Sequence, residues 1–150
     1  MIEIVPFLQR IGWKGTPKEY FIEQYEFEST YIDFGLIERI QILRKCGIKC
    51  YIASNQNYFR KAFLIRKMRL FSQFDGAFFS CDFGVTKPEK AYWERVVDQV
   101  RKYKPLIDIM DILFLDDMKE NIESARSFGL KSIQIENSLD IERVIIELGA

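Results

Sequence analysis

From residue 33 onward, short apolar runs alternate with longer stretches of helical periodicity, and this alternation constrains the fold more than any other feature. "IKCYIAS" (48–54), "GAFFS" (76–80), "DILFLD" (111–116) and "KSIQI" (131–135) read as strands. Asp33 is placed to cap a helix whose Leu36, Ile40 and Leu43 share one face and which Gly47 ends. Further helices are predicted over about 57–68, from Pro88 to about 103, over 119–128 before Gly129, and over 139–148. Strands joined by helices need right-handed crossovers, which give a parallel sheet covered on both faces. The expected class is therefore α/β, a Rossmann-like three-layer parallel sheet. "ILFL" is apolar without alternation, as a strand buried on both faces should be. At 150 residues and 48% apolar content, the chain has material for one such core.

Residues 1–33 follow a different pattern, acidic and aromatic. "TPKE" (16–19) reads as a helix start, with Thr16 as cap, Pro17 at the first helical position and Glu19 closing a capping box; the helix runs to about 28. Before Gly12 a second short helix is expected, although "IEIV" reads equally as a strand. Trp13, Tyr20, Phe21, Tyr25 and Phe27 either line a pocket or pack as core. The basic cluster Arg60, Lys61, Arg66, Lys67 and Arg69 reads as the wet face of an amphipathic helix.

Composition removes several kinds of chemistry. Lys plus Arg equals Asp plus Glu at 22 each, so no overall field favours nucleic acid or an anionic membrane. There is no histidine, and the three cysteines lack C-x-x-C spacing, which argues against zinc and against Ser-His or Cys-His nucleophiles. Three thiols suit a reducing cytoplasm, and neither a membrane span nor a signal peptide is legible. Catalysis would have to use carboxylates, lysine, hydroxyls or a metal.

In open parallel sheets, ligands bind beyond the carboxyl ends of the strands. After the first strand come Ser54, Asn55 and Gln56, either an anion site at a helix N-terminus or simply the cap of the next helix. Past the second strand, Lys87 stands immediately before Pro88. A cation at a helix entrance opposes the local dipole, which costs a few tenths of a kcal/mol unless something anionic is near; the alternative is an exposed loop lysine. Asp116 and Asp117 end the third strand as two adjacent like charges. Such a pair persists where a cation sits on it or water solvates it. Mg²⁺, which takes one or two carboxylates plus water and phosphate oxygens, fits that position. Together the hydroxyl, lysine and acids suit a phosphoryl group, since charge stabilisation dominates its transfer.

These segments resemble the haloacid dehalogenase-like hydrolase superfamily. "YIASNQ" is similar to its second motif, "GVTKPEKAYW" (84–93) to its third, and "ILFLDDMKENIESARSFGLKSIQI" to its fourth, with Asn121, Ala125 and Gly129 in place. The aspartate pair resembles the phosphatase branch. The resemblance implies a Mg²⁺-dependent phosphatase acting on a phosphorylated small molecule. Ser54, Asn55 and Lys87 would bind phosphate, Lys87 would also serve catalysis, and Asp116 and Asp117 would hold the metal. Residues 1–33 resemble part of a helical cap, and 34–150 the α/β core.

The family's first motif, a strand ending D-x-D-x-T/V whose first aspartate is the nucleophile, has no counterpart here. "YIDFG", "FDG" and "CDFG" each carry one aspartate and none has the required context. The core is thus expected to lack its central strand, which would leave the strands at 48–53 and 111–116 facing an empty slot. Residues 1–5, a neighbouring chain, or direct pairing of the two strands would fill it; an unfilled slot invites self-association. The expectation is a truncated form of a longer hydrolase, inactive as this chain. The alternative is a non-catalytic binding or interaction module descended from the fold. A phospho-accepting receiver would place its acids first and its lysine last, opposite to the order here.

Overall fold

The computed structural model describes residues 4–149. α1 (Ile4–Arg10) makes the second half of "IEIV" helical, while residues 1–3 lie outside the described residues. α2 (Pro17–Ser29) starts with the expected capping box. The Thr16 hydroxyl accepts from the Glu19 N–H at 3.2 Å, and the Glu19 carboxylate accepts from the Thr16 N–H at 2.7 Å. α3 (Phe34–Lys45) is capped by Asp33, whose carboxylate accepts from the Leu36 N–H at 2.9 Å.

β1 (Tyr51–Ser54) begins three residues later than the apolar run. The reason lies in Ile48 and Cys50, whose N–H groups are already committed. Ile48 donates to Leu43 O at 3.1 Å, and Cys50 donates to the Asp75 carboxylate at 3.0 Å. α4 (Tyr58–Arg66) is capped by Asn57, so neither Ser54 nor Asn55 serves as the cap. The basic cluster on this helix is not simply solvated. Arg60 lies 4.6 Å from the centre of the Tyr25 ring and 2.5 Å from Glu28, Lys67 pairs with Glu26, and Lys61 pairs with Asp82 at 2.5 Å. The acidic excess of α2 is thereby matched by the basic face of α4, with Tyr25 packed on Phe63.

β2 (Gly76–Phe79) leads into α5 (Ser80–Phe83), a single turn that no periodicity signals. α6 (Lys90–Tyr103) starts two residues beyond Pro88. β3 (Leu113–Asp116), α7 (Lys119–Phe128), β4 (Lys131–Gln134) and α8 (Ser138–Glu147) follow as expected to within about two residues. Gly129 closes α7 at φ 108°, a left-handed conformation that favours glycine. Among the described residues no helix is long and apolar enough to cross a membrane.

The strands form two parallel ladders. β1 pairs with β2 in the register Tyr51↔Gly76 through Ser54↔Phe79, and β3 pairs with β4 from Leu113↔Lys131 through Asp116↔Gln134. β1 and β3 share no ladder, which rules out direct pairing of the two strands as the filling of the slot. Ile4 and Val5 are in α1, so they do not fill it as a strand either. α6 bridges the two halves. Its Tyr92 hydroxyl donates to Phe78 O on β2 at 2.6 Å, and its Trp93 ring meets Phe114 of β3 edge-on at 4.7 Å. Both are at most 1% exposed, and with Val96, Val97, Ile122 and Ala125 they form the main core. Between β1 and β3 lies a cavity of about 970 Å³ with Ala53 and Leu115 on its walls.

Candidate functional site

Lys87 is the centre of the carboxyl rim. It is 8% exposed, so the reading of an exposed loop lysine is incorrect. Asn55 fixes the loop that carries it. The Asn55 amide donates to Lys87 O and accepts from the Lys87 N–H, both at 2.9 Å. So held, the ammonium donates to Ala53 O at 3.0 Å and to Asp116 Oδ2 at 2.5 Å. One side chain therefore ties the end of β1 to the end of β3, which no backbone bond joins.

Asp116 is surrounded by donors. Its Oδ1 accepts from the Met118 N–H and from the Asn121 amide, both at 2.9 Å. Burial alone would raise its pKa. The hydrogen bonds from Lys87, Asn121 and Met118, with the Lys87 charge, outweigh burial and hold it below the usual carboxylate range. The adjacent acids coexist because their surroundings differ: Asp116 lies on an ammonium, while Asp117 is exposed to water. Among the described residues no hydrogen bond or ion pair engages the Asp117 carboxylate; only its carbonyl is used, by Gln134 at 3.0 Å.

Ser54 stands at the same rim and, among the described residues, makes no hydrogen bond to Lys87 or either acid. Its hydroxyl accepts from Gln56 Nε2 at 2.9 Å. The Gln56 backbone is in turn held by Ser80, whose hydroxyl accepts from its N–H at 2.9 Å and donates to its carbonyl at 3.2 Å. The structure thus joins Asn55, Lys87 and Asp116 directly, with Ser54 turned to Gln56 and the Asp117 carboxylate exposed to water. Two supporting residues were not singled out as site residues, Asn121 and Ser80, both buried. A signal for Asn121 exists: it stands four residues before Ala125, on the helix face that packs inward. Ser80 carries no comparable signal.

As a magnesium site the rim is partial. Among the described residues no group of three or more His, Cys, Asp or Glu side chains is arranged to hold a metal. Mg²⁺ needs only one or two protein carboxylates, and Asp117 is free to supply one. Both oxygens of Asp116 are already engaged, so it would ligate only by giving up a hydrogen bond. The residues fit the protein's share of such a site and leave the remaining oxygens to water and substrate.

The parallel α/β topology with a lysine and an aspartate at its carboxyl rim defines the class of this protein as a Rossmann-like α/β protein. Residues 9–129 match the haloacid dehalogenase-like hydrolase family, and the chain belongs to that family. A predicted HAD-like family hydrolase from Porphyromonas gingivalis superposes with a TM-score of 0.71 at 19% identity, covering 94% of this chain and 70% of that one. A HAD-family enzyme from Bacteroides thetaiotaomicron, an aspartate-to-alanine variant in complex with magnesium and inorganic phosphate, gives a TM-score of 0.60 at 20% identity. That match covers 70% of this chain and 54% of the other. At such identities the likeness shows the fold. A drimenol cyclase from Aspergillus calidoustus is 27% identical over 85 residues, which is 57% of this chain and 15% of that protein's length. The chain therefore spans a small part of that curated relative.

Proposed function

We propose that the chain is the core of a Mg²⁺-dependent, phosphatase-type hydrolase for a phosphorylated small molecule, and that these 150 residues bind phosphate without turning it over. The observation that carries the reading is the Lys87 ammonium, buried at the rim between the ends of β1 and β3 and beside Asp116 and Asp117. Lys87 is positioned to neutralise a phosphoryl oxygen, with Ser54 and Asn55 at the same rim as hydrogen-bonding groups. Asp117, with Asp116 behind it, would hold the metal, which when bound supplies charge stabilisation at the phosphate. Residues 1–33 would act as part of a substrate-selecting cap over a core spanning 34–150, in a cytoplasmic protein.

Among the described residues the carboxylate that contacts Lys87 is that of Asp116, and its hydrogen bonds to Lys87, Met118 and Asn121 leave it poorly placed to act as a nucleophile. That favours the second reading, a non-catalytic module that keeps the binding site. Two measurements test the pair. Turnover of an aryl phosphate with Mg²⁺ should stay at background, and inorganic phosphate with Mg²⁺ should give saturable heat on titration that Lys87→Met removes. Turnover lost on Asp116→Ala would overturn the claim of inactivity. Absence of phosphate binding would overturn both readings.

A further inference from the structure

We propose that Gln56 is a positioning residue for anion binding: its side-chain amide commits the Ser54 hydroxyl to donating, so that Ser54 selects an oxygen that can only accept, as those of a phosphate dianion do. The inference rests on the phosphate-binding reading and adds to it a residue that the reading does not use.

A serine hydroxyl carries one proton and two lone pairs, and it rotates to donate or to accept as its surroundings require. Here Gln56 Nε2 donates to Ser54 Oγ at 2.9 Å. That bond uses a lone pair and leaves the proton, which no protein acceptor takes among the described residues. Accepting a hydrogen bond also polarises the O–H and strengthens it as a donor, by on the order of 10–30%. The Lys87 ammonium bonds to the carbonyl of Ala53, the residue before Ser54, so cation and hydroxyl stand at the same strand end. Both then offer only protons to a ligand. Such a pair favours an oxyanion and disfavours a group that must itself donate.

Gln56 can hold this position because its backbone is clamped. The register Ser54↔Phe79 ends β1 and β2 level with each other, which places Ser80 beside the loop that follows β1. Ser80 is 6% exposed, and its single hydroxyl serves both peptide groups of Gln56. It accepts from the Gln56 N–H at 2.9 Å and donates to the Gln56 carbonyl at 3.2 Å. Asn55, between the two, is tied through its side chain to the backbone of Lys87. Held on both sides, the loop lets the Gln56 side chain fold back two residues onto Ser54.

A glutamine that merely stiffened the loop would show the same contacts, but it would behave differently. A brace supports the whole rim, so losing it harms anion binding whether or not Ser54 has a hydroxyl. A positioning residue acts only through that hydroxyl, so its effect disappears when the hydroxyl is removed.

The test is a double-mutant cycle on the full chain with inorganic phosphate and Mg²⁺, read by calorimetry and, for weak binding, by phosphorus-31 line broadening. Gln56→Met keeps the side-chain length and removes the donor. It should weaken phosphate binding about three- to tenfold when Ser54 is present and less than about twofold in the Ser54→Ala background. Equal weakening in both backgrounds makes Gln56 a brace and overturns the proposal. Tighter binding by Gln56→Met also overturns it, because the amide would then be withholding the Ser54 proton. If a variant fails to fold, or Ser54→Ala leaves no measurable binding, the side-chain amide protons of Gln56 decide the matter in the unaltered protein. Phosphate should move them downfield, since a hydroxyl that donates accepts more strongly; unmoved signals overturn the proposal. Phosphate binding that Lys87→Met removes and Gln56→Met leaves unchanged overturns this inference alone, whereas no phosphate binding by the unaltered protein overturns the phosphate reading and this inference with it.

Discussion

Replacing Lys87 with methionine tests whether the bridge between β1 and β3 behaves as a desolvated ion pair. Both side chains are 7% exposed, and the contact is 2.5 Å. Removing one partner of a buried pair typically costs about 3–5 kcal/mol, because the other charge is left buried. Asp116 keeps two donors, the Met118 N–H and the Asn121 amide, which places the loss at the lower end of that range. Ala53 O also loses a donor, worth roughly 1 kcal/mol. The expected cost at pH 7 is about 3–4 kcal/mol, a large share of the roughly 5–15 kcal/mol that holds a domain folded. Asp116→Asn alone should cost a similar amount by stranding the ammonium. The double variant should lose far less than the sum, because neither charge then remains.

Urea unfolding followed by circular dichroism measures all three variants. The pH dependence has a definite sign. The folded-state pKa of Asp116 is depressed, so its stabilisation is complete above its unfolded value and fades as pH falls through the folded one. In Lys87→Met the stranded carboxyl escapes its penalty by taking up a proton, so the cost of the substitution should shrink on acidification. A loss below about 1 kcal/mol, or singles that simply add, would refute the reasoning, because that is how solvent-screened pairs behave.

Asp75 gives a second pH test. Burial opposes its ionisation, but the Cys50 N–H, Arg44 and Lys49 lower its pKa from 3.8 to about 2. At about 1.4 kcal/mol per pKa unit this contributes about 2 kcal/mol above the unfolded value and is lost as pH falls towards 2. Asp75→Asn should therefore cost about 2 kcal/mol at pH 7 in urea unfolding, with about half of the difference gone by pH 3; a pH-independent difference contradicts this. Thr16→Ala removes the α2 cap and should destabilise by about 1 kcal/mol, read as a fall in the urea midpoint with the m-value unchanged.

Much of the fold was legible because its signals are local. The capping box at Thr16 and Glu19, the Asp33 cap and the Gly129 stop depend on residues a few positions apart, and each is present. The strands were placed correctly but drawn too long at 48–50, since the sequence does not show that Asp75 takes the Cys50 N–H from 25 residues away. The missing central strand is an expectation from an absent motif; among the described residues β1 and β3 lie in separate ladders. At the rim, the sequence offered the candidate residues but not how they divide. That Lys87 pairs with Asp116 and leaves Asp117 to solvent depends on the loop clasped by Asn55, a contact spanning 32 residues. The ion pairs that Arg60 and Lys67 make within the basic cluster were illegible for the same reason: their partners on α2 lie far away in sequence.

The division of the sheet also bears on how the molecule comes apart. In an uninterrupted sheet, unfolding spreads from strand to strand through a shared lattice of peptide bonds. Here β1–β2 and β3–β4 have no such lattice in common, so all-or-none melting depends on α6 gripping Phe78 with Tyr92 and Phe114 with Trp93. Together with the Lys87 bridge and the packing of α3 on α8, that helix sets whether the protein melts once or in two stages.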